Sequence, residues 1–594
     1  MFDAITYILK LYIGLAIISY LTFRLRFWSE CEGLMCLGKS LYQFLSILLV
    51  ILFVSVNLRA FDVFLVITVF LLIVGVDYLV ARRKKEARFN FAKIKINQKI
   101  YDFVDGVVKL ELKSKSLRIS IWHFVYILVF LLGLFLWVRP SVYNQSLFSI
   151  VQHSHLVKIT SILTNDYRAG LSDFGMNSLC AFFSSIFGVN QYMVLHLFGA
   201  FNFGLLFLGI SLLAYKLSKD FISVVLSVSL FVFLFPIVNF VSNPVEGSSF
   251  LFGLAWSLIV VVFWSEVSLV QKFIGLGVSF LIDVFVGFAS VVLITMAEIV
   301  KKSYENFKAN RKKGIQFALI AILILLSFFL LENYFSVNPE LGLKVYSFLS
   351  NSEVVAYPSG FINILIFLVF LALIVEFISK TGEGRSTFSV FYGIFIGLLL
   401  IFTLMIEKGF LNFAPFELFY PFVLVNSFIW ISYIISRFLG RRRIYYSVVV
   451  LCIVALLILN GFLHGGFKFN GSIEPEEIVE VVREIQSESV PFSFAVVSHY
   501  GTRAMIENYA WFMDWDYFLK SYILINEPKK IYDVVYVIVP KQDSIGKISP
   551  FFLPSVENLS AVLDSVCLNY RYATAQLYFD GRDIKVYKLT KLKE

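Results

Sequence analysis

The sequence predicts a polytopic α-helical membrane protein of about 14 transmembrane helices that ends in a small extracytoplasmic C-terminal α/β domain. The chain has 594 residues, of which 59% are hydrophobic and 15% are charged, whereas a soluble domain is roughly 25% charged. Apolar runs such as 119–138 and 315–331 match the hydrocarbon thickness as helices, because lipid offers their backbones no other hydrogen-bond partner. After residue 462 the pattern changes to short strands and amphipathic helices.

The chain divides into four predicted parts: an N-terminal block of three membrane helices (1–81), a basic cytoplasmic linker (82–118), the main transmembrane domain (119–462) and the C-terminal domain (463–594). The first apolar run lacks a basic leader and an A-x-A-like cleavage site, so we expect a retained span. The predicted spans cover 5–23, 41–58, 61–81, 119–138, 191–214, 220–240, 248–265, 272–283, 285–300, 315–334, 359–379, 386–406, 414–436 and 443–462.

Basic clusters set the predicted orientation. They lie at 81–88, 301–313 and 437–443, each beside an apolar run. Because short cytoplasmic loops are enriched in Lys and Arg, the pattern places the N-terminus and the C-terminal domain on the extracytoplasmic side of the inner or plasma membrane. The same clusters account for the net charge of +10, so we expect no nucleic-acid partner. One helix over 272–300 would reverse this topology, and we therefore expect two short segments that break near Asp283.

The C-terminal domain is predicted from local patterns. Helices are expected at 473–486 and 556–566, where apolar residues recur on one face, and short buried strands are expected at 492–498 and 534–540. The alternating residues of 572–589 surround Asp580-Gly581, which indicates a β-hairpin. The chain has five cysteines, and their spacing matches neither a zinc site nor a disulfide framework.

A polar segment at 151–179 interrupts the apolar sequence and follows the span that ends near Val138. Its candidate functional residues are His153, His155, Asp166 and Asp173, which are chemically able to bind a metal or to act as a general base. His153 and His155 are two positions apart and would face different sides of a helix, which argues against a two-histidine metal site. The alternative interpretation is a solvated loop at the membrane surface.

Three further polar features stand out. Glu246 lies in the turn 241–250 beside an apolar run, where it is either a functional carboxylate or a helix N-terminal charge. Asp283 is isolated in an apolar segment, which makes it a functional candidate unless it lies at the outer interface. A few basic residues on the predicted outer face are able to pair with a lipid phosphate or to reach the interface as single snorkelling side chains; the candidates are Arg168, Lys344 and Lys408.

The layout of residues 119–594 resembles the GT-C superfamily of integral-membrane glycosyltransferases, which includes oligosaccharyltransferase catalytic subunits and protein mannosyltransferases. The resemblance is carried by "LSDFGMNSLCAFFSSIFGVNQYMVLHLFG" (171–199), by "NPVEGSS" (243–249), which is similar to an acidic second-loop turn of that family, and by the closing hairpin "FDGRDIKVYKL" (579–589). The sequence departs from the family at 139–152, which holds no Asp or Glu, and "WFMDWDYF" (511–518) is only superficially similar to the family's acceptor motif.

The resemblance implies transfer of a sugar from a polyprenyl-phosphate-linked donor to an envelope glycan, lipid or protein acceptor. Asp166, Asp173 and Glu246 would be catalytic, and Asp166 and Glu246 would hold Mg²⁺ or Mn²⁺. His153, His155, Arg168, Lys344 and Lys408 would bind the substrate. Two other functions stay open at this point: a catalytically inactive GT-C-like membrane scaffold, and a transporter of lipid-linked glycans. Residues 1–81 lie outside the resemblance and would dock a membrane partner or extend the lipid groove.

Overall fold

A computed structural model of the chain describes residues 2–26, 34–83, 121–143, 150–167, 174–238, 248–264, 266–291, 416–439, 443–464 and 476–499, most of 502–592, and a few single positions between them. The three first helices are α1 (Phe2–Arg26), α2 (Leu34–Asn57) and α3 (Val63–Arg83). They coincide with the three predicted spans of the N-terminal block.

Between residues 121 and 282 the described part of the chain forms eight helices. They are α4 (Ile121–Tyr143), α5 (Ile150–Leu163), α6 (Phe174–Phe187), α7 (Gln191–His196), α8 (Phe198–Ser218), α9 (Phe221–Val238), α10 (Ser249–Phe263) and α11 (Leu269–Ile282). Two more membrane-type helices follow, α12 (Phe416–Leu439) and α13 (Arg443–His464). The predicted spans at 315–334, 359–379 and 386–406 lie outside the described residues apart from Ile396.

Three stretches of the described chain are helical, long enough and apolar enough to cross a membrane: Leu37–Asn57, Trp122–Arg139 and Gln191–Ser218. The other apolar helices are shorter within the described range. The count of about 14 spans therefore stays a prediction, while the mostly helical, apolar architecture is observed.

The outer surface of the helices is apolar, which is the reverse of a soluble protein. Phe64, Phe124 and Phe273 are each about two-thirds exposed or more, at 77%, 66% and 67%. Aliphatic side chains of α1 and α13 also point outward. Such faces are stable only against hydrocarbon, so the chain is membrane-associated.

The N-terminal block is part of the helical bundle. The Tyr12 hydroxyl donates to the Ala200 carbonyl at 2.6 Å, which joins α1 to α8. The Tyr42 hydroxyl donates to the Gln271 carbonyl at 2.7 Å, and its ring stacks on Trp256 with centroids 5.3 Å apart. A single buried apolar cluster runs from α1 through α13. Helices of residues 1–81, which lie outside the resemblance described above, thus contribute to the core of the bundle.

The C-terminal domain is an α/β unit with a five-stranded mixed sheet. Its strands are β1 (Ala495–Ser498), β2 (Trp511–Asp514), β3 (Val534–Pro540), β4 (Ala573–Asp580) and β5 (Ile584–Lys591), in the order β2-β1-β3-β5-β4. β1 runs parallel to β2 and β3, and β5 pairs antiparallel with β3 and β4. The helices are α14 (Glu476–Glu488), the short α15 (Arg503–Ile506) and α16 (Trp515–Tyr517), and α17 (Leu559–Leu568).

The predicted elements of this domain are confirmed, with one addition. The hairpin turns at Asp580-Gly581, and the two predicted helices and the strands at 495–498 and 534–540 are present. β2 was not predicted, because its four residues "WFMD" carry no alternation. It pairs with β1 from Ala495–Trp511 to Ser498–Asp514 and forms one edge of the sheet.

A partly buried polar cluster fixes the hairpin to α14. The Glu477 carboxylate accepts hydrogen bonds from the backbone N–H groups of Arg582, Asp583 and Ile584, at 2.7, 2.8 and 3.1 Å. Asp583 is itself buried and accepts from the Ser544 hydroxyl at 2.8 Å. Hydrogen bonds to an ionised group are stronger than neutral ones, so Glu477 is the main tie between the first helix and the last hairpin of the domain.

The C-terminal domain contacts the bundle at one end. α15 approaches α5, which belongs to the polar segment after α4. At the same end, the backbone N–H of Phe61, between α2 and α3, donates to the Asn165 side chain at 2.7 Å. The turn 58–62, the polar segment and the C-terminal domain therefore lie on one side of the bundle, as the predicted topology requires. Which side of the membrane this is remains a prediction.

A fully buried histidine follows β1. The His499 ring lies beside Trp515, with ring centroids 5.6 Å apart. Burial disfavours the charged imidazolium and lowers the pKa of His499 to about 3. The side chain is therefore neutral in the folded domain at ordinary pH.

Replacing Glu477 by alanine is expected to lower the free energy of unfolding of the C-terminal domain by about 1.5–3 kcal/mol, because three backbone donors lose a charged acceptor. Faster hydrogen exchange in peptides covering 576–588 of the full-length protein checks this. Glu480→Ala, at an exposed position on the same helix, is the control and should change exchange little. Equal exchange in both variants would contradict the assignment.

The stability of this domain should fall as the pH drops below about 6.5. Between pH 6.5 and about 3 the unfolded chain binds a proton at His499 and the folded chain does not. The free energy of unfolding therefore falls by about 1.4 kcal/mol for each unit by which the pH drops. Above pH 6.5 the residue makes no pH-dependent contribution. Hydrogen exchange of peptides covering 494–499 across this range measures the slope, and His499→Leu should flatten it. An unchanged slope in the variant would place the titration elsewhere.

Candidate functional site

Buried polar side chains gather at the end of the bundle that contacts the C-terminal domain. His155 on α5 is buried, and its Nδ1 lies 3.1 Å from Oδ1 of Asn177 on α6. Asn177 is fully buried, and its Nδ2 has no hydrogen-bond partner within the described part of the chain. A buried amide without a partner costs about 1–3 kcal/mol, so this position is suited to a bound polar group.

A second buried amide anchors the start of α10. The Nδ2 of Asn202, near the start of α8, donates to the Ser248 carbonyl at 2.9 Å. Ser248 is the N-cap residue of α10, and its hydroxyl accepts from the Leu251 N–H. The Oδ1 of Asn202 has no partner among the described residues. Asn202 therefore fixes Ser248, which follows Glu246 by two residues in the sequence.

The position of α10 bears on the alternative interpretation of Glu246. The helix begins at Ser249, and its first turn contains no acidic residue. Ser248 supplies the side-chain cap of this helix. Glu246 itself lies outside the described residues, and its catalytic and metal-binding roles stay predictions.

Asp166 follows α5 in an exposed turn. Its backbone N–H donates to the Ser161 carbonyl at 2.9 Å, and the preceding Asn165 has a φ of 61°. The Asn165 amide is engaged with Phe61 through both its donor and its acceptor. The structure thus places Asp166 at the surface of this end, next to an anchored residue, and does not bring it into the buried His155–Asn177 pair.

The helix break near Asp283 is confirmed. α11 ends at Ile282, Asp283 has an extended backbone with φ −157° and ψ 126°, and helical residues resume at 284. The Asp283 carboxylate accepts from the Val286 N–H at 2.9 Å and so caps the second helix. The rings of Phe280 and Phe288 contact each other with centroids 5.1 Å apart, so the second helix folds back along α11.

Small residues bring this break close to two neighbouring helices. A Cβ on Gly175, in the first turn of α6, would lie 3.0 Å from the Cα of Ile282. A Cβ on Gly253 of α10 would lie 3.2 Å from the Cβ of Asp283. The chain at Ile282 and Asp283 is therefore packed against the N-terminal halves of α6 and α10, which also carry Asn177 and the Ser248 cap.

The remaining predicted site residues are placed only in part. His153 lies in α5, two positions before His155. Asp173, Glu246, Arg168, Lys344 and Lys408 lie outside the described residues. Among the residues that are described, no three His, Cys, Asp or Glu side chains are grouped as a metal site would require. The predicted Mg²⁺ or Mn²⁺ site at Asp166 and Glu246 is thus untested.

Sequence reasoning did not single out the two buried amides. Asn177 and Asn202 are uncharged, whereas every candidate residue predicted from the sequence is ionisable. Their signal was nonetheless present, because each is an isolated amide in an apolar helix, where an unpaired polar group is costly. Asn177 lies one helical turn before Cys180 in "FGMNSLC".

Comparison with known proteins adds a remote structural similarity. The sequence matches no family model and no curated protein sequence. The fold is similar to an archaeal oligosaccharyltransferase, AglB from Archaeoglobus fulgidus, which was solved in complex with an inhibitory peptide and a dolichol-phosphate. The TM-score is 0.36, the sequence identity is 12%, and the alignment covers 65% of this chain and 63% of that one. The chain thus spans less than two thirds of that protein's length.

Asp283 could stabilise the break either as a capping side chain or through the charge of its carboxylate. Matched variants separate these two roles. Asp283→Ala removes the cap and should lower the free energy of unfolding by about 0.5–2 kcal/mol, whereas Asp283→Asn keeps a good capping residue and should change it little. The thermal unfolding midpoint of both variants in one detergent measures this. Equal destabilisation by both substitutions would show that the carboxylate charge, and not the cap, stabilises the break.

Proposed function

We propose that the protein is a GT-C-type membrane glycosyltransferase that transfers a sugar from a polyprenyl-phosphate-linked donor to a glycan, lipid or protein acceptor on the extracytoplasmic face. The observation that supports this best is the buried polar end of the bundle. There, His155 of α5 contacts Asn177 of α6, Asn202 of α8 holds the start of α10, and the chain breaks at Asp283, while α5 also approaches the α/β domain. A lipid-linked donor needs both environments: hydrocarbon for its chain and polar groups for its head.

The proposed reaction joins the acceptor oxygen to the anomeric carbon of the sugar. The bond from that carbon to the phosphate oxygen breaks, and the electron pair leaves with the polyprenyl phosphate. Glu246 accepts the proton of the acceptor hydroxyl. His155 and Asn177 form the polar floor against which the headgroup lies, and Arg168, Lys344 or Lys408 pairs with the phosphate. No step is assigned to a metal ion, because Asp166 lies exposed, outside the buried pair.

A second candidate function is a membrane scaffold that keeps this fold without the chemistry. It is favoured by the sequence 139–152, which contains no Asp or Glu at the place where the resembling family carries its first acid. The two functions differ in turnover and agree in lipid binding. A turnover measurement therefore distinguishes them.

Glu246→Gln should lower kcat by about 10²–10⁴-fold, because the amide cannot accept the acceptor's proton. The assay uses the purified full-length protein in nanodiscs, with polyprenyl-phosphate sugars as donors and with or without Mg²⁺ or Mn²⁺. The control is Glu266→Gln, since Glu266 pairs with Lys216 at the opposite end of α8 and α10, with N–O 3.5 Å. Donor binding without turnover in the wild type would support the scaffold, and turnover unaffected by Glu246→Gln would exclude Glu246 as the base.

A further inference from the structure

An exposed row of aromatic rings lies on the C-terminal domain, at the start of the edge strand β2. Phe492 and Trp511 are 53% and 51% exposed, and their ring centroids are 6.2 Å apart at an angle of 70°. The ring of Tyr532 continues the row, 6.0 Å from Trp511 and tilted by 30°. Tyr509 is also largely exposed beside them. We call Phe492, Trp511 and Tyr532 the aromatic row.

The backbone holds Phe492 in an uncommon conformation. Its φ is 60°, in the left-handed region that bulky residues rarely adopt. Its N–H donates to the Tyr509 carbonyl at 2.6 Å, which fixes the segment before β1 to the segment before β2. Backbone strain of this kind costs about 1–3 kcal/mol and concentrates at binding sites. Here it presents an apolar ring to solvent, where folding gains nothing from it.

Phe492 and Trp511 lie in uncharged segments. The segments "SVPFSF" (489–494) and "YAWFM" (509–513) contain no Asp, Glu, Lys or Arg, whereas Tyr532 follows Lys529 and Lys530 and precedes Asp533. Surfaces that bind anionic lipid headgroups carry Lys or Arg around their aromatic residues. The pair of Phe492 and Trp511 therefore fits a neutral ligand.

The size of the row argues against a protein partner. An aromatic side chain has about 150–250 Å² of surface, so two half-exposed rings and a less exposed third offer roughly 200–300 Å². A stable protein–protein interface buries about 800 Å² on each partner. The row is large enough to contact a small ligand that consists of a few rings.

At one end of the row hydroxyl groups complement the ring faces. Burial raises the pKa of Tyr532, and the nearby phenol of Tyr517 raises it further. Tyr517 is 50% exposed. The end of the row therefore offers phenolic donors and acceptors beside apolar faces, and this combination suits a ligand that has C–H faces and hydroxyl edges.

We propose that the aromatic row of Phe492, Trp511 and Tyr532 binds a neutral oligosaccharide, whose sugar rings stack on successive aromatic faces. The C–H groups of a pyranose face carry partial positive charge and are attracted to the negative face of an aromatic ring. The hydroxyl groups at the rim of the sugar remain in water or contact the phenols. This site is separate from the proposed catalytic end of the bundle, and binding to it requires no turnover.

The test is titration of the full-length protein in nanodiscs with maltotetraose, cellotetraose and chitotetraose, followed by tryptophan fluorescence and saturation-transfer NMR. We expect millimolar or tighter binding of at least one of them, weakened at least tenfold in Trp511→Ala. Trp511→Phe, which keeps an aromatic face, should retain part of it. Leu577→Ala is the control, because Leu577 is 50% exposed on β4 at the opposite edge of the sheet.

The Phe492→Gly variant tests whether a loss of oligosaccharide binding results from misfolding. Glycine adopts a positive φ without strain, so this variant should fold at least as stably as the wild type while it loses the first ring of the row. Weaker oligosaccharide binding with an unchanged or higher unfolding midpoint supports the proposal. Absence of binding to all three probes, or equal binding by the wild type, Phe492→Gly and Trp511→Ala, would overturn it. The proposal would also be overturned if Phe492→Gly or Trp511→Ala lost affinity for lipid vesicles but kept its affinity for the sugars.

Discussion

Hydrogen bonds from buried aromatic side chains to backbone carbonyls determine how the helices of this protein are arranged. Between helices in hydrocarbon, apolar contact alone gives little preference, since lipid is as apolar as the side chains. Tyr12 and Tyr42 each reach a carbonyl of another helix, and Trp256 donates to the Gly275 carbonyl at 3.0 Å. A Cβ at Gly204 would lie 2.7 Å from the Tyr12 ring, so glycine permits the approach. The position of α1 and α2, and with it the polar end of the bundle, depends on these contacts.

The sequence predicted what periodicity and composition determine. The apolar runs, the change in character near 463 and the Asp580-Gly581 hairpin are all local patterns. The hairpin and the apolar runs within the described residues have their counterparts in the structure. The break at Asp283 was predicted because a single helix over 272–300 would reverse the side of the basic cluster at 301–313. In the structure, the Asp283 side chain caps the helix that follows the break. β2 escaped prediction because four residues at an edge carry too little pattern, and their pairing with β1 is a non-local contact.

The candidate site is described only in part. Within the described residues of 151–179, His155 contacts the uncharged Asn177. Asp166, which the sequence favoured, lies exposed in a turn held by Asn165 and Phe61. Charge is visible in a sequence, whereas the burial that makes an amide costly or useful depends on how α5, α6 and α8 pack. The catalytic roles of Glu246 and Asp173 rest on sequence alone.

The contact between α15 and α5 has a consequence for biogenesis. About 340 residues separate the two helices along the chain, so the polar segment emerges from the ribosome long before the domain that contacts it. At roughly 5–20 residues per second, that interval is on the order of 20–70 s. During this time α5 lacks its contact with the C-terminal domain. A membrane chaperone that shields this end of the nascent bundle would have its longest opportunity here, and truncations before residue 503 would leave the same surface permanently open.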